Sequence, residues 1–262
     1  MNTYTIKNIE HALDELDIQR GDCVLVRADL RYLGLFAPEP RQAPAVLFQA
    51  LAHRVDLTVG TLLVPTGSLS LCNSSTPFDP KTTPSELGVF SEYVRTREGA
   101  VRSFHPFFSY TALGAEAEEI CSSVPRHAFG PRSIKDRLVT RGAKMLSLGA
   151  HPRFTCTTVH HAEFMVGVPY RYTKEFIHPV VRNGILQNEL FYLYVYYREC
   201  NIERNRNRKI WERFPHGQKA CCGKSFFYSY NIKDFYEHSV SMMQEDIYIW
   251  LNHPPTNKPY RK

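Results

Sequence analysis

Three short apolar runs set the tightest limit on what this chain can fold into: CVLVRADL beginning at Cys23, GTLLVP from Gly60 to Pro65, and KMLSLGA from Lys144 to Ala150. Each has the length of a strand, and a run that stays apolar on consecutive residues marks a strand covered on both faces. Segments with helical spacing separate them. Ile6, Ile9, Leu13 and Leu16 recur over residues 6 to 18, and Pro44 to Leu51 reads as a helix with proline at its first position. Ser85 to Arg97 carries Leu87, Phe90 and Val94 and should end near Gly99. Further helices are expected over Ala115 to Cys121 and Ile134 to Val139, the second capped by Ser133. Strands alternating with helices in this way predict a layered α/β fold.

With 262 residues, 43% of them hydrophobic, there is enough apolar material for one large core. No internal repeat or linker divides the chain, so residues 1–262 are expected to form a single domain. One long stretch, Thr66 to Pro84, is rich in Ser, Thr, Pro and Asn and has the character of a functional loop. Beyond residue 172 the pattern is less regular. There the aromatic run from Phe191 to Tyr197 is strand-like, and Ile232 to Trp250 is helical in part.

Composition narrows the partners. The N-terminal residues hold no apolar leader and no run approaches the roughly 20 residues of a spanning helix, so a soluble, cytoplasmic protein without a membrane partner is expected. Seven scattered cysteines without a C-x-x-C pair read as reduced thiols, with no metal site. The formal charge of +6 favours anionic ligands. Nucleic acid is not among those expected, because the basic residues are interspersed with acids except in RNRNRK, Arg204 to Lys209.

Chemistry concentrates in Leu148 to Tyr172, where a strand ends at Gly149 and a Thr-rich loop enters a short helix with adjacent histidines. The carboxyl ends of strands are where open α/β sheets place their sites. If His160 lies on the first helical turn, Glu163 shares its face, and a carboxylate on one imidazole nitrogen makes the other a general base. The same spacing also suits a surface helix with a paired histidine. Arg102, Ser103 and His105 could present a guanidinium and a hydroxyl to a phosphate, or could form an exposed turn. Cys156 reads as a small buried residue rather than a nucleophile. No P-loop, zincin or hydrolase-elbow motif is present.

Taken in order, GDCVLVRADLRYLG, GTLLVPTGS, PFDP, RSFHP with a following serine, FGPRSIKDRL and T-x-x-H-x-x-E resemble the aminoglycoside 3-N-acetyltransferase family over about residues 10–172. The resemblance implies a three-layer α/β/α fold with a central mixed sheet. It also implies direct transfer of an acyl group from acetyl-CoA, or another acyl-CoA, to an amine. On that pattern His160 deprotonates the amine, Glu163 supports it and Thr157 helps to hold the acyl carbonyl. Leu30, Arg31, Arg102, Ser103 and His105 correspond to the walls for pantetheine and pyrophosphate. One departure stands out: the family usually has His-Ser-Ser where this chain has Arg27-Ala28-Asp29, and Arg27 or Arg31 could pair with phosphate instead.

Residues 173–262 are where relatives build their acceptor pockets. Here that half is basic and aromatic, with Arg198, Arg204, Arg206, Arg208 and Lys209 near Tyr192, Tyr194, Tyr196, Tyr197 and Trp211. Arginines beside aromatic platforms suit a nucleotide. The expected acceptor is therefore an amino sugar, nucleotide-linked and anionic, bound through Arg204, Arg206 and Arg208. Aminoglycosides are the alternative, a non-catalytic binding module is a third reading, and a homodimer is allowed.

Overall fold

The computed structural model describes residues 3–203 and 208–260. Its centre is a seven-stranded mixed sheet in the order Gln218–Cys222, Ser225–Asn231, Lys144–Leu148, Cys23–Ala28, Thr61–Pro65, Tyr110–Gly114, Val101–Arg102. The three strands read from the apolar runs are its parallel middle, with Cys23–Ala28 between the other two. The outer pairings are antiparallel. Thr61–Pro65 is buried at every position, as a strand covered on both faces should be.

Side chains alternate across the sheet, so each central strand feeds two cores. Val24, Val26, Leu62, Val64, Leu146 and Leu148 pack with Ile9, Leu13, Leu47, Leu51 and Phe90, the buried faces of helices Ile6–Asp14, Ala43–Val55 and Val89–Arg95. Leu25, Leu63 and Met145 pack on the other side with Ile120, Ile134, Leu138, Val159, Ala162 and Phe235. Those residues come from helices Ala117–Cys121, Ile134–Thr140, Thr158–Val166 and Ile232–Glu245. The result is the three-layer α/β/α arrangement.

Outside the sheet, Arg171–Arg182 and Ile185–Tyr196 form a long antiparallel hairpin. Bridges from Val180 to Phe78 and from Tyr192 to His127 fasten it to the rest of the fold, over a small core of Leu71, Phe78, Phe107, Phe191 and Leu193. Several helix boundaries differ from the sequence reading: the helix expected over Pro44 to Leu51 runs Ala43–Val55 and the one expected from Ala115 begins at Ala117, and two others have a visible local cause. The first helix stops at Asp14, although Leu16 and Ile18 remain buried. The helix expected from Ser85 begins at Val89, because Gly88 takes φ +103° and the Ser85 N–H is already bonded to the Glu92 carboxylate at 2.7 Å. No helix of the described residues is long and apolar enough to cross a membrane.

Candidate active site

The central strands deliver two segments to one chamber. Lys144–Leu148 ends at Gly149, whose φ of +88° and close approach to Asp29, with an added Cβ 2.6 Å from the Asp29 carbonyl oxygen, admit only glycine. The Ser147 hydroxyl donates to the Ala150 carbonyl at 2.7 Å and lies 3.1 Å from the Thr155 hydroxyl, tying down the turn that follows. Thr157 then stands at the N-cap of the helix Thr158–Val166, which closes on Gly167 in the left-handed conformation.

That helix places His160 and Glu163 together. The His160 Nδ1 lies 2.7 Å from Glu163 Oε2, the carboxylate is fully buried, and its other oxygen accepts from the Tyr170 hydroxyl at 2.9 Å. Arg171, at the start of the hairpin, is also buried and puts Nη2 2.8 Å from Glu163 Oε2 and 2.9 Å from His160 Nδ1. Burial works to raise the Glu163 pKa, but Arg171, His160 and Tyr170 outweigh it, and the carboxyl is held below its ordinary value. Glu163 Oε2 is nearer to Nδ1 than the guanidinium is, and Arg171 Nη2 has that same carboxylate oxygen as its acceptor; with Nδ1–H directed at the ionised oxygen, Nε2 is the basic nitrogen. Arg171 is held in turn by the Tyr194 carbonyl at 2.8 Å, by the Tyr196 hydroxyl, and by the Tyr196 ring 3.7 Å beneath it. The Trp250 indole N–H donates to that same hydroxyl at 3.0 Å.

His160 and Thr157 line two adjoining cavities of about 290 and 590 Å3, and Arg27 lines both. The first is walled by Phe107, Phe108, Tyr110, Phe129, Tyr194 and Tyr196, the second by Arg153, Cys156, Ile202 and Trp250. A third, of about 560 Å3, follows Arg27 to Tyr32 and the facing Glu86 to Val89. A base beside an adjoining cleft of this kind can deprotonate an amine brought against a thioester.

A family model described as aminoglycoside 3-N-acetyltransferase matches residues 25–244. The chain belongs to the aminoglycoside 3-N-acetyltransferase family. It is 29% identical over 203 residues to aminoglycoside N(3)-acetyltransferase IX of Micromonospora chalcea, covering 69% of each chain. Aminoglycoside N(3)-acetyltransferase III of Acinetobacter baumannii is 32% identical over 203 residues, covering 69% of this chain and 68% of that one. Among solved structures, aminoglycoside acetyltransferase AAC(3)-Xa superposes with a TM-score of 0.79 at 26% identity over 93% of each chain. A histidine-to-alanine form of AAC(3)-IVa in complex with a gentamicin gives 0.77 at 25%, covering 97% and 93%. AAC-IIIb, solved with CoASH, shares the fold at a TM-score of 0.79 and 23% identity. As a member of the aminoglycoside 3-N-acetyltransferase family, the chain is an acyl-CoA N-acyltransferase. The family match also runs past Tyr172, through the half in which the motifs could not be followed.

Within this family member the sequence-expected residues divide. His160, Glu163 and Thr157 come together as described. Leu30 and Arg31 line the third cavity, where exposed Arg31 is engaged by Asp29 through Nε at 2.8 Å and Nη2 at 2.7 Å. Arg102, Ser103 and His105 line none of these three cavities. Arg102 donates to the Thr66, Thr83 and Pro80 carbonyls and the Ser109 hydroxyl, so it braces the loop Thr66 to Pro84. Ser103 is fully buried and accepts from the Tyr110 N–H at 2.9 Å. The buried His105 accepts from the Phe108 N–H at 3.2 Å, and burial drives its pKa down to about 3. Arg208 is exposed, paired with Glu212 at 2.8 Å, and lines a separate cavity with Trp211; Arg204 and Arg206 lie outside the described residues. Sequence reasoning missed Tyr170, Arg171, Tyr196 and Trp250 as supports. Only the pair Tyr170-Arg171, directly after the motif helix, offered a signal.

Proposed function

We propose that this protein acetylates a primary amine of an amino sugar, with His160 as the general base. The observation that carries the proposal is the buried Tyr170-Glu163-His160 chain beside a cavity also lined by Thr157. The neutral amine nitrogen attacks the thioester carbon, and the C–S bond breaks to release coenzyme A as its thiolate. His160 Nε2 first takes the ammonium proton, which frees the amine nitrogen to attack, and passes it to solvent; the proton that the nitrogen sheds on bonding to carbon goes to the departing thiolate. Glu163 keeps Nδ1 protonated and stabilises the transient imidazolium, as a carboxylate behind a basic histidine does. Arg171 keeps Glu163 ionised.

For the acceptor, the relatives' names support an aminoglycoside more strongly than a nucleotide-linked sugar. The arginine cluster that suggested a nucleotide supplies only Arg208 among the described residues, and Arg208 lines neither cavity that contains His160. One observation still favours an anionic acceptor: among the described residues these two cavities are lined by Arg27, Arg153 and Arg171 and by no Asp or Glu. A polycation gains from lining carboxylates. Thiol release from acetyl-CoA with aminoglycosides in one panel and nucleotide-linked amino sugars in the other decides the matter. Turnover confined to the first panel selects the aminoglycoside; turnover confined to the second selects the nucleotide sugar. No turnover with any amine removes the function.

A further inference from the structure

We infer that Arg27 is a catalytic residue that stabilises the negative charge developing on the thioester oxygen during acyl transfer. Arg27 follows Leu25 by two residues on the central strand, so both project to the same face. On that face Leu25 shares a core with Val159 and Ala162 of the His160 helix. The Arg27 side chain is accordingly delivered to the layer that holds the base, and it lines both cavities that His160 and Thr157 line.

Among the described residues no carboxylate pairs with Arg27, although it lines both cavities that hold the base. Arg171 pairs with Glu163, and Arg137 is spent on the Glu119, Ile120 and Ser122 carbonyls. The half-buried Arg27 side chain makes no hydrogen bond or ion pair among the described residues. Burial lowers its pKa, and the groups that act on it electrostatically are Tyr110, Cys156 and Tyr230, with no carboxylate among them. A guanidinium nevertheless keeps its proton in a protein. Holding an uncompensated cation in a partly dry chamber is costly unless a ligand or a reaction supplies the anion.

The reaction supplies one where Arg27 sits. The phosphates of coenzyme A are separated from the thioester by the whole pantetheine arm, whereas Arg27 shares its cavities with the base. As the amine nitrogen bonds to the carbonyl carbon, the C=O electron pair moves onto oxygen, which becomes negative beside the guanidinium. When the C–S bond breaks, that pair re-forms the carbonyl and the charge leaves on sulfur. The cation gains its partner only after the ground state, the condition under which an interaction raises kcat rather than tightening binding. On this inference the departure Arg27-Ala28-Asp29 from the family's usual His-Ser-Ser falls at the reacting carbon, and Arg27 and the Thr157 hydroxyl approach the same oxygen.

The inference rests on the acyl-transfer reading, and its test includes a reaction that needs no acceptor. Arg27→Gln and Arg27→Lys are compared with the wild type in three measurements: acetyl-CoA Kd by calorimetry, thiol release with each accepted amine, and slow hydrolysis of acetyl-CoA without amine. Thermal denaturation checks that each variant is folded. For Arg27→Gln the expected result is a fall in kcat of about 10²- to 10³-fold, the range for an oxyanion donor. It should be the same for every amine and matched in hydrolysis, with Kd and amine KM within about threefold of wild type; Arg27→Lys should recover part of the loss. A rise in acetyl-CoA Kd alone would make Arg27 a phosphate clamp and overturn the inference. A rise in KM confined to anionic amines would make it an acceptor site, with the same consequence. Unchanged kcat also overturns it. If the wild type acetylates no amine yet Arg27→Gln lowers hydrolysis, the acceptor reading fails and the inference stands. Loss of both activities from the wild type removes both.

Discussion

The helix Thr158–Val166 and the segment from Val101 to Tyr110 are built from the same kinds of residue, histidine, a charged group and a hydroxyl, yet the fold uses them in opposite ways. In the helix, i to i+3 spacing turns His160 and Glu163 onto one face, and the carboxylate's partners are side chains, so the histidine is left as the reactive end of a chain. In the segment, Arg102 gives three bonds to main-chain carbonyls beside one to the Ser109 hydroxyl, Ser103 accepts from a main-chain N–H, and so does His105. Polar atoms committed to the backbone hold a loop in place. The comparison teaches that a motif reads as chemistry only where its polar groups face one another.

The sharpest way to break the comparison is to alter one residue in each region. His160→Ala should lower acetyl transfer by about 10²- to 10⁴-fold while the melting temperature and acetyl-CoA affinity hold. Arg102→Ala should do the reverse. Losing its carbonyl partners costs at least the roughly 1.5–3 kcal/mol of one charged hydrogen bond, read as a lower denaturation midpoint, with normal turnover per folded molecule. Weaker acetyl-CoA binding at unchanged stability would instead return Arg102 to the cofactor wall that the resemblance gives it. Glu163→Gln should cost about 10- to 100-fold in rate and shift the pH profile, because Nδ1 keeps a partner but loses its ionised one.

A smaller effect separates the adjacent histidines. Buried His161 accepts from the Gly130 N–H at 3.3 Å, and burial lowers its pKa from 6.5 to about 4. The unfolded chain then binds a proton that the folded one refuses, so this group's contribution to stability is complete above 6.5 and falls away as pH drops toward about 4. His161→Asn, which keeps an acceptor, should flatten the urea midpoint against pH in that window. An unchanged slope would assign the acid loss to other groups. Smallest of all, Arg208→Ala should leave stability and both Michaelis constants as they are, since Arg208 is exposed and its ion pair among the described residues is the exposed one with Glu212. A raised constant for an anionic amine alone would bring back the acceptor role first read from its sequence.

Legibility followed burial. The three parallel strands and the helices beside them were readable because both faces of each strand are apolar, which leaves continuous runs. Gln218–Cys222 and Ser225–Asn231 join the same sheet at its edge, but the first is exposed at three of five positions and so shows no apolar run. The hairpin strand Arg171–Arg182 was hidden for a similar reason, most of its residues being exposed or half-buried with a proline among them. At the site, His160 and Glu163 were legible because a helix fixes near neighbours. Trp250 was not, being brought to Tyr196 only by the packing of the C-terminal residues. Arg27 was visible as a departure from a motif, whereas its standing without a carboxylate partner among the described residues could be seen only in three dimensions.

The central claim is that His160 removes the proton of the attacking amine, and the most direct test is the pH dependence of thiol release by the wild type and His160→Ala. Both should be followed with a saturating accepted amine from about pH 6 to about pH 10, the upper end being where an alkylamine sheds its own proton. The wild type should already be fast near neutrality. The variant should be slowest there and rise with pH in step with the free-amine fraction, so that the gap narrows toward the alkaline end. Parallel profiles for the two proteins, or near-normal turnover of the folded variant at neutral pH, would contradict the claim.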